Sequence, residues 1–298
     1  MTSKFCKCPT IYCTGAQKAA PREQHVRNMK NKTYQKMAVI FIDILGTREM
    51  KEFNEKLNIH KIFHNEVLLN IERQKNLSHV VYDRKLYSFS DCAYVIYHYK
   101  EDIEESRKDD LNLLFIALYN TSLLVLKVLN EGYLVRGGAS LGECYFDDLG
   151  FFGPSIEDAY KQESECAIYP RVLIESKVGE QLFKWENAKV MDTVALKIFT
   201  SPPKLILKHD DEYYLNVLYH IQQVESINIE SGNLTLEQIK SNLNQKINSD
   251  KSKFKGNAKI IEKLNWFSIF VNNAENLLNK NNVYLAFSAI PNEITSIE

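Results

Sequence analysis

The carboxylate of Asp43 is the first candidate for chemistry in this sequence, because it lies inside an apolar segment. Residues 37–50 read MAVIFIDILGTREM, so the aspartate is flanked by Ile42 and Ile44. An ionised carboxylate in apolar surroundings costs free energy unless a partner compensates for its lost hydration. The segment therefore predicts a partner for Asp43: a lysine, the N-terminus of a helix or a metal ion.

A second carboxylate, that of Asp91, is predicted at the tip of a β-hairpin. Two segments rich in β-branched and aromatic residues, 79–89 and 92–100, are separated only by Ser90 and Asp91, which is typical of a hairpin. If this hairpin pairs beside the strand of Asp43, the two carboxylates converge and repel each other unless a cation joins them. Oxygen ligands at a strand end and in a tight turn suit Mg²⁺ or Mn²⁺.

The residues after Asp43 add an anion-binding element to this prediction. Gly46 lets a ligand approach the backbone, and a helix is predicted to begin directly afterwards, with free N–H groups at its N-terminus. Two carboxylates beside such an element are what a metal–triphosphate site requires. The spacing is equally consistent with a simpler arrangement, in which Asp43 pairs with a core arginine or lysine and Asp91 is an ordinary turn residue.

Hydrophobic periodicity predicts the strands and helices that must position these groups. Strands interleaved with helices indicate an α+β fold, with a mixed or antiparallel sheet that contains a central hairpin and is flanked by helices. Besides the hairpin, the predicted segments are residues 37–45 (strand), 47–74 (one or two helices), 109–132 (buried helix), 133–146 (strand broken by glycines), 153–167 (helix), 193–200, 204–210 and 212–219 (short strands), and 234–247 and 259–279 (helices).

Composition narrows the class of protein. Of the 298 residues, 45% are hydrophobic, which is enough for a substantial core, and 37 basic residues nearly balance 38 acidic ones. This balance gives no overall attraction to nucleic acid or to membranes. We find no apolar run that approaches the roughly 18–20 residues needed to span a bilayer. We therefore expect a cytoplasmic protein with no membrane segment.

The chain is predicted to have one catalytic core with flanking segments. Residues 1–35 have little periodic hydrophobicity and are expected to be a poorly ordered leader. Residues 36–175 form the core, and residues 176–298 form an extension that packs on it rather than an independent domain.

The leader contains a cluster of thiols. Cys6, Cys8 and Cys13, with His25 as a fourth ligand, could bind a metal, but the spacing matches no well-known zinc pattern. Incidental thiols are the interpretation we favour.

Five segments, in order, resemble the catalytic segments of the class III nucleotidyl cyclases. They read FIDILG, SFSD, VRGGASLGE, FFGPSIEDAYKQE and YPR, and KLNWF (263–267) resembles a later motif of the same family. Within the family, the chain looks closest to the pyrimidine cyclases of the bacterial Pycsar anti-phage system. The resemblance implies the cyclase fold and the conversion of a nucleoside triphosphate to a 3′,5′-cyclic nucleotide and pyrophosphate. It also implies a homodimer with shared active sites and a separate effector protein that senses the product.

The resemblance also implies roles for individual residues. The catalytic residues are Asp43, Asp91, Arg136 and Lys161. Two Mg²⁺ or Mn²⁺ ions are bound by Asp43, Ile44 and Asp91. The nucleotide is bound by Ile44, Gly46, Thr47, Tyr87 and Arg136. For Arg136 the alternative is a strand arginine that pairs with a surface carboxylate, and for Tyr87 it is simple packing in the strand.

The sequence departs from the purine cyclases at the positions that read the base. Those enzymes carry a lysine four residues before the second metal aspartate and an aspartate seven residues before a helix asparagine; Tyr87 and Gly150 stand here. An aromatic ring in place of the lysine shortens the pocket and offers a stacking face. We therefore predict a pyrimidine substrate, UTP first and CTP second.

Two further departures leave alternatives open. The helix asparagine and the arginine four residues after it align with Glu157 and Lys161, and a lysine supplies charge without the arginine's bidentate fork. The alternatives are a purine (adenylate or guanylate) cyclase, and a degenerate cyclase domain that binds nucleotide or a partner as a regulatory dimer.

Overall fold

The fold is an α+β arrangement of one large sheet with helices on both faces. The computed structural model describes residues 33–47, 51–75, 80–189, 198–229 and 232–279. The elements are β1 (Gln35–Ile44), α1 (Phe53–Lys75), β2 (Tyr82–Phe89), β3 (Cys92–Tyr99), α2 (Asp110–Asn130), β4 (Val135–Asp147), β5 (Gly150–Phe152), α3 (Pro154–Lys161), β6 (Val172–Ile174), α4 (Ser176–Ala188), β7 (Ile206–His209), β8 (Glu212–Leu215), α5 (Tyr219–Gln222), β9 (Ile227–Ile229), β10 (Gly232–Leu234), α6 (Leu236–Lys253) and α7 (Ala258–Asn272).

Strand β1 lies in the interior of the sheet. The strand order is β2-β3-β1-β4-β6-β8-β7, with β5 paired to β4 beside this path. The hairpin β2–β3 forms one edge and pairs antiparallel with β1 through β3, while β4 pairs antiparallel with the other side of β1. Strand β6 is parallel to β4, so the sheet is mixed. The predicted fold class, a mixed sheet with a hairpin and flanking helices, is confirmed.

The alternating side chains of β1 face two separate cores, as the two-residue period of a strand requires. On one face, four residues of β1 join the main core beneath α2: Ala38, Ile40, Ile42 and Ile44. On the other face, three residues join a smaller cluster beneath α3: Met37, Val39 and Phe41. Asp43 continues this second series, so its carboxylate lies on the face that α3 covers.

Helix α2 is the core helix of the sheet. It has 21 residues and contains an 18-residue window with a mean hydropathy of 1.7, so by length and composition it could cross a membrane. The expectation that no apolar run reaches that length was wrong. Eleven of its residues are buried, and the helix packs on β1 and β4. It ends before Gly132, whose φ of +82° is typical of a residue that follows a helix.

Several local expectations need correction. The strand predicted to be broken by glycines is continuous through Gly137, Gly138 and Gly142. Of the one or two helices predicted over 47–74, the structure has the single α-helix α1 from Phe53, while residues 48–50 lie outside the described residues. The last predicted helix ends at Asn272 rather than at residue 279. Strand β6 and helix α4 were not predicted, and most of the predicted strand 193–200 lies outside the described residues, as do the cysteine-containing leader and His25.

The C-terminal helices share the main core. Four residues of α6 and three of α7 are buried in the same cluster as the sheet: Leu236, Ile239, Leu243, Ile247, Leu264, Phe267 and Val271. Helix α6 begins with a complete capping box, in which Thr235 and Gln238 satisfy each other's backbone N–H groups. These helices are thereby held against the core.

Candidate active site

Asp43 lies at the end of β1, between the two strands that carry the other candidate residues. Its Cα position is paired with Cys92 of β3 on one side and with Arg136 of β4 on the other. The residue is partly buried, and its neighbour Ile44 points into the main core on the opposite face. Only the backbone of Ile44 is therefore available on the face of Asp43.

Asp91 occupies the turn of the β2–β3 hairpin and is held beside the end of β1. Its carbonyl oxygen accepts a hydrogen bond from the N–H of Ile44, at 3.1 Å, and its carboxylate accepts one from the hydroxyl of Thr47. Ser90 before it has a φ of +57°, which makes the two-residue turn possible. The structure therefore brings Asp43, Asp91 and Thr47 together.

The pKa of the Cys92 thiol is raised by burial and by the acidic side chains around it. Burial, and then the carboxylates of Asp43, Asp91 and Glu163, raise the pKa of Cys92 to about 11. The site therefore has a negative potential that a cation would relieve.

The donor set fits a small divalent cation that also binds phosphate. Two carboxylates and a backbone position supply oxygen, the ligand that Mg²⁺ and Mn²⁺ prefer, and such sites keep positions for water and phosphate. Within the described ranges, no group of three or more His, Cys, Asp or Glu side chains could enclose a metal. The arrangement is thus an open site rather than a closed structural one.

Arg136 lies on the same face but is bound by an acidic side chain. Its guanidinium forms a salt bridge with Glu163, with Nε donating to Oε1 at 2.6 Å. Glu163 is only 3% exposed and belongs to a π-helical turn, Gln162–Cys166, that continues α3. Such turns often occur at functional sites. The sequence analysis assigned no role to Glu163. It lies 27 residues from Arg136, so no local pattern indicates that the two side chains pair.

Two consecutive glycines in β4 allow this close packing. A Cβ on Gly138 would lie 2.0 Å from the carbonyl oxygen of Ala159 and 2.9 Å from the backbone nitrogen of Glu163. A Cβ on Gly137 would lie 2.5 Å from the carbonyl oxygen of Phe41. Gly138 therefore lets α3 and its π turn approach the sheet, and Gly137 lies close against β1 and Val172 of β6.

Tyr87 lies on the same face of the sheet, within a group of aromatic rings. Its ring centroid is 4.6 Å from that of Phe151 in β5, and Tyr94 is 4.9 Å from the same ring. The hydroxyl of Tyr87 donates to the carbonyl oxygen of Asp147 at 3.2 Å, and Asp147 is paired with Gly150. The two positions that differ from the purine pattern, 87 and 150, are therefore brought together.

Lys161 and Glu157 lie one turn apart on α3, and both are exposed. Ile156 and Ala159 of the same helix are buried against the sheet. Lys161 therefore lies on the solvent-exposed side of α3, next to Tyr160, whose ring centroid is 5.5 Å from that of Phe41 in β1.

A cavity of about 330 Å³ opens at the loop that follows Asp43. Leu45 and Gly46 line one side, and Lys263 of α7 lines another. Gly46 has a φ of +86°, and no atom lies within 4 Å of its Cβ position, so the backbone is open to a ligand there. Burial, and then the charges of Arg136 and Lys259, lower the pKa of Lys263. Lys263, the first residue of the KLNWF segment, therefore lies near Arg136.

No protein-family model matches this chain, and no curated protein matches it. Solved structures similar to it are nucleotide cyclase domains. One is the catalytic core of a rhodopsin-guanylyl cyclase with converted specificity in complex with ATPαS (13% identity, 62% of this chain and 97% of that one, TM-score 0.38). Another is the guanylate cyclase domain of RhGC from Catenaria anguillulae in complex with GTP (13%, 62% and 98%, 0.35). A third is an adenylate/guanylate cyclase/hydrolase from Silicibacter pomeroyi (12%, 61% and 95%, 0.35). At these identities and scores the likeness assigns no activity.

Proposed function

We propose that this chain is a nucleotidyl cyclase that converts a pyrimidine nucleoside triphosphate, UTP or else CTP, to its 3′,5′-cyclic nucleotide and pyrophosphate. The observation that carries the proposal is the placement of Asp91 beside Asp43: Asp43 is paired with Cys92, the residue after Asp91, and the Asp91 carbonyl oxygen accepts from Ile44 N–H, next to the open backbone of Gly46. Two carboxylates beside an anion-accepting loop suit a metal-bound triphosphate.

In the reaction, the ribose 3′-oxygen bonds to the α-phosphorus and the bond from that phosphorus to the pyrophosphate oxygen breaks. Asp43, Asp91 and the backbone of Ile44 would hold Mg²⁺ or Mn²⁺, which supplies Lewis-acid activation of the hydroxyl and neutralises phosphate charge. Thr47 fixes the carboxylate of Asp91 through its hydroxyl. Arg136 adds positive charge on the same face, and positioning of this kind accounts for much of the catalysis in phosphoryl transfer.

The pyrimidine preference rests on Tyr87. Its ring fills the region where a purine-reading lysine would stand, and Phe151 packs against it at 4.6 Å. Gly150 offers no side chain to hydrogen-bond an adenine or guanine edge. A small base that stacks on an aromatic ring is the ligand such a surface favours.

We also propose a homodimer with shared active sites, in which Lys161, an exposed residue of α3, would serve the partner chain. Three apolar side chains are also exposed on β5, its turn and α3: Leu149 at 97%, Phe152 at 57% and Tyr160 at 52%. A second copy of the chain that covers them would bury this apolar surface. We further propose that the product is a cytoplasmic second messenger of anti-phage defence, sensed by a separate effector protein.

A second candidate function follows from the salt bridge between Arg136 and Glu163. An arginine held by a buried carboxylate is less available to a triphosphate, and Glu157 and Lys161 replace the asparagine and arginine of active purine enzymes. These features favour a regulatory dimer that binds nucleotide without turning it over.

Incubation of the purified protein with each of the four nucleoside triphosphates and Mn²⁺ separates these functions. A cyclic pyrimidine supports the proposal, a cyclic purine supports a purine cyclase, and binding without product supports the regulatory dimer. Asp91→Asn should abolish product formation while the far-ultraviolet circular dichroism stays unchanged. The matched control is Asp210→Asn, since Asp210 occupies the exposed β7–β8 hairpin turn on another edge of the sheet. Equal activity of the two variants would exclude a role for Asp91.

A further inference from the structure

The cavity beside Gly46 is closed on one side by the C-terminal helices. Its lining combines the loops at the end of β1 and before β4 with residues of α1, α6 and α7, and the members that matter for binding are Gly46, Glu55, Lys246, Asp250, Lys253 and Lys263. The N–H of Leu45 donates to the carbonyl oxygen of Leu134 at 2.8 Å, which holds the first two loops together. The cavity volume of about 330 Å³ lies within the range of small-ligand sites.

The charged groups in this lining are mainly basic. Three lysines face two carboxylates, and one pair is already satisfied, because Lys246 Nζ lies 3.1 Å from Asp250 Oδ1. Lys253 and Lys263 form no ion pair with a carboxylate in the part of the chain that the structure describes. The two remaining lysines therefore exceed the single remaining carboxylate of the lining, that of Glu55, by one positive charge. Nearby Arg136 adds no net charge, because it is paired with Glu163.

The position of the cavity defines what would enter it. Asp43 and Ile44 come immediately before its wall at Leu45 and Gly46, so the cavity and the two aspartates share one loop. The open backbone at Gly46 and the two lysines are suited to phosphate oxygens.

We propose that Lys253, the last residue of α6, binds the terminal phosphates of the nucleotide and the pyrophosphate product. This inference rests on the proposed cyclase function and extends it: the C-terminal helical pair becomes part of the polyphosphate site of its own chain. Lys253 then binds the β- and γ-phosphates of the substrate through its positive charge. Lys263 of α7, which lines the same cavity, contributes a second positive charge.

A competing explanation is that Lys253 only stabilises α6. A cation in the last turn of a helix interacts favourably with the helix dipole, and both Lys251 and Lys253 occupy that turn. Lys251 does not line the cavity. The variant Lys251→Gln therefore removes the same helix-terminal charge without touching the cavity, and it is the matched control for Lys253→Gln.

The test is calorimetric titration of the full chain with inorganic tripolyphosphate, together with steady-state kinetics on the preferred nucleotide. We expect Lys253→Gln to weaken tripolyphosphate binding about tenfold, as for a lost charged hydrogen bond, and to raise KM by a similar factor with little change in kcat. Lys251→Gln should stay within about twofold of the unaltered chain. Equal affinities for the two variants, or no tripolyphosphate binding by the unaltered chain, overturn the proposal.

The two proposals fail in different ways. If the unaltered chain makes no cyclic nucleotide but binds tripolyphosphate through Lys253, the anion site stands and the cyclase function falls. If the chain is an active cyclase and Lys253→Gln changes neither tripolyphosphate affinity nor KM, the cyclase function stands and the role of Lys253 falls.

Discussion

Replacement of Gly138 by alanine should separate the helix α3 from the sheet and disturb the salt bridge behind it. The added methyl would lie 2.0 Å from the carbonyl oxygen of Ala159, 2.6 Å from Cβ of Gln162 and 2.9 Å from the nitrogen of Glu163. Two of these three atoms belong to the backbone, so no side-chain rotation can relieve the contacts. The segment that carries Glu163 must move away from Arg136.

The cost can be bounded by comparison with Gly142 in the same strand. A Cβ at Gly142 lies 3.4 Å from its nearest neighbour, Cβ of Ser155, which is an ordinary contact. Both alanines reduce the entropy of the unfolded chain equally, by about 0.4–1 kcal/mol in favour of folding, so this gain cancels in the difference. Overpacking costs about 1–3 kcal/mol of folding free energy. Because two of the contacts at Gly138 are with backbone atoms, we expect the cost of Gly138→Ala to lie near the upper end of that range.

We therefore expect Gly138→Ala to be about 3 kcal/mol less stable than Gly142→Ala, a loss of roughly 6–12 °C in Tm for a domain of this size. Urea denaturation followed by circular dichroism measures the free energy of unfolding, and calorimetry measures Tm. Cyclase activity should fall in Gly138→Ala as well, because the displaced Glu163 no longer orients Arg136. If the two variants are equally stable, α3 does not pack on β4 at Gly138 and the reasoning is refuted.

Three further outcomes are expected. Tyr87→Ala should lower kcat/KM for the preferred pyrimidine nucleotide by about one to two orders of magnitude, because stacking on one base contributes about 1–3 kcal/mol; unchanged rates with all four nucleotides would make Tyr87 a packing residue. Asp91→Ala and Lys161→Ala chains, each weak alone, should regain cyclase activity when mixed, since mixed dimers rebuild one intact site; no recovery would argue against a shared site. Because burial and Arg136 lower the pKa of Lys263 below the ordinary lysine value of 10.5, its charge is present at low pH and is lost as the pH rises through that lowered value. Tripolyphosphate affinity of the unaltered chain should therefore fall relative to Lys263→Arg in titrations at increasing pH, and parallel curves would contradict this.

The central elements of the fold were predictable because their signals are local. The hairpin around Ser90 and Asp91 follows from two β-rich segments and a two-residue turn, and helix α2 follows from its continuous apolar pattern before Gly132. Strand β6 has only three residues, and it is defined by parallel pairing with β4 rather than by its own sequence. The same applies to the glycines of β4: they weaken a strand in isolation, but neighbouring strands on both sides keep it continuous.

The candidate site was predictable only in part. The positions of Asp43 and Asp91 follow from strand and turn patterns, so their proximity could be anticipated. The pairing of Arg136 with Glu163 depends on a π turn, which has no recognised sequence signal, and on how α3 is seated over Gly138. The cavity beside Gly46 depends on α6 and α7. These helices lie more than a hundred residues after Asp43 in the sequence, and they were predicted only as part of an extension that packs on the core.

The interior position of β1 has a consequence for biosynthesis. This strand is buried on both faces and is made before any of its partner strands. Its longest pairing is with β4, which follows it by roughly 100 residues and includes the pair Asp43 and Arg136. At ordinary translation rates, roughly 100 further residues take about 5–20 s to emerge from the ribosome. Strand β3 is made about half-way through that interval and can cover one edge of β1, but the edge that β4 covers stays exposed to other nascent chains and to chaperones until the end of it. Yield of this protein in cells should therefore depend more on how residues 37–44 are protected during synthesis than on the stability of the finished fold.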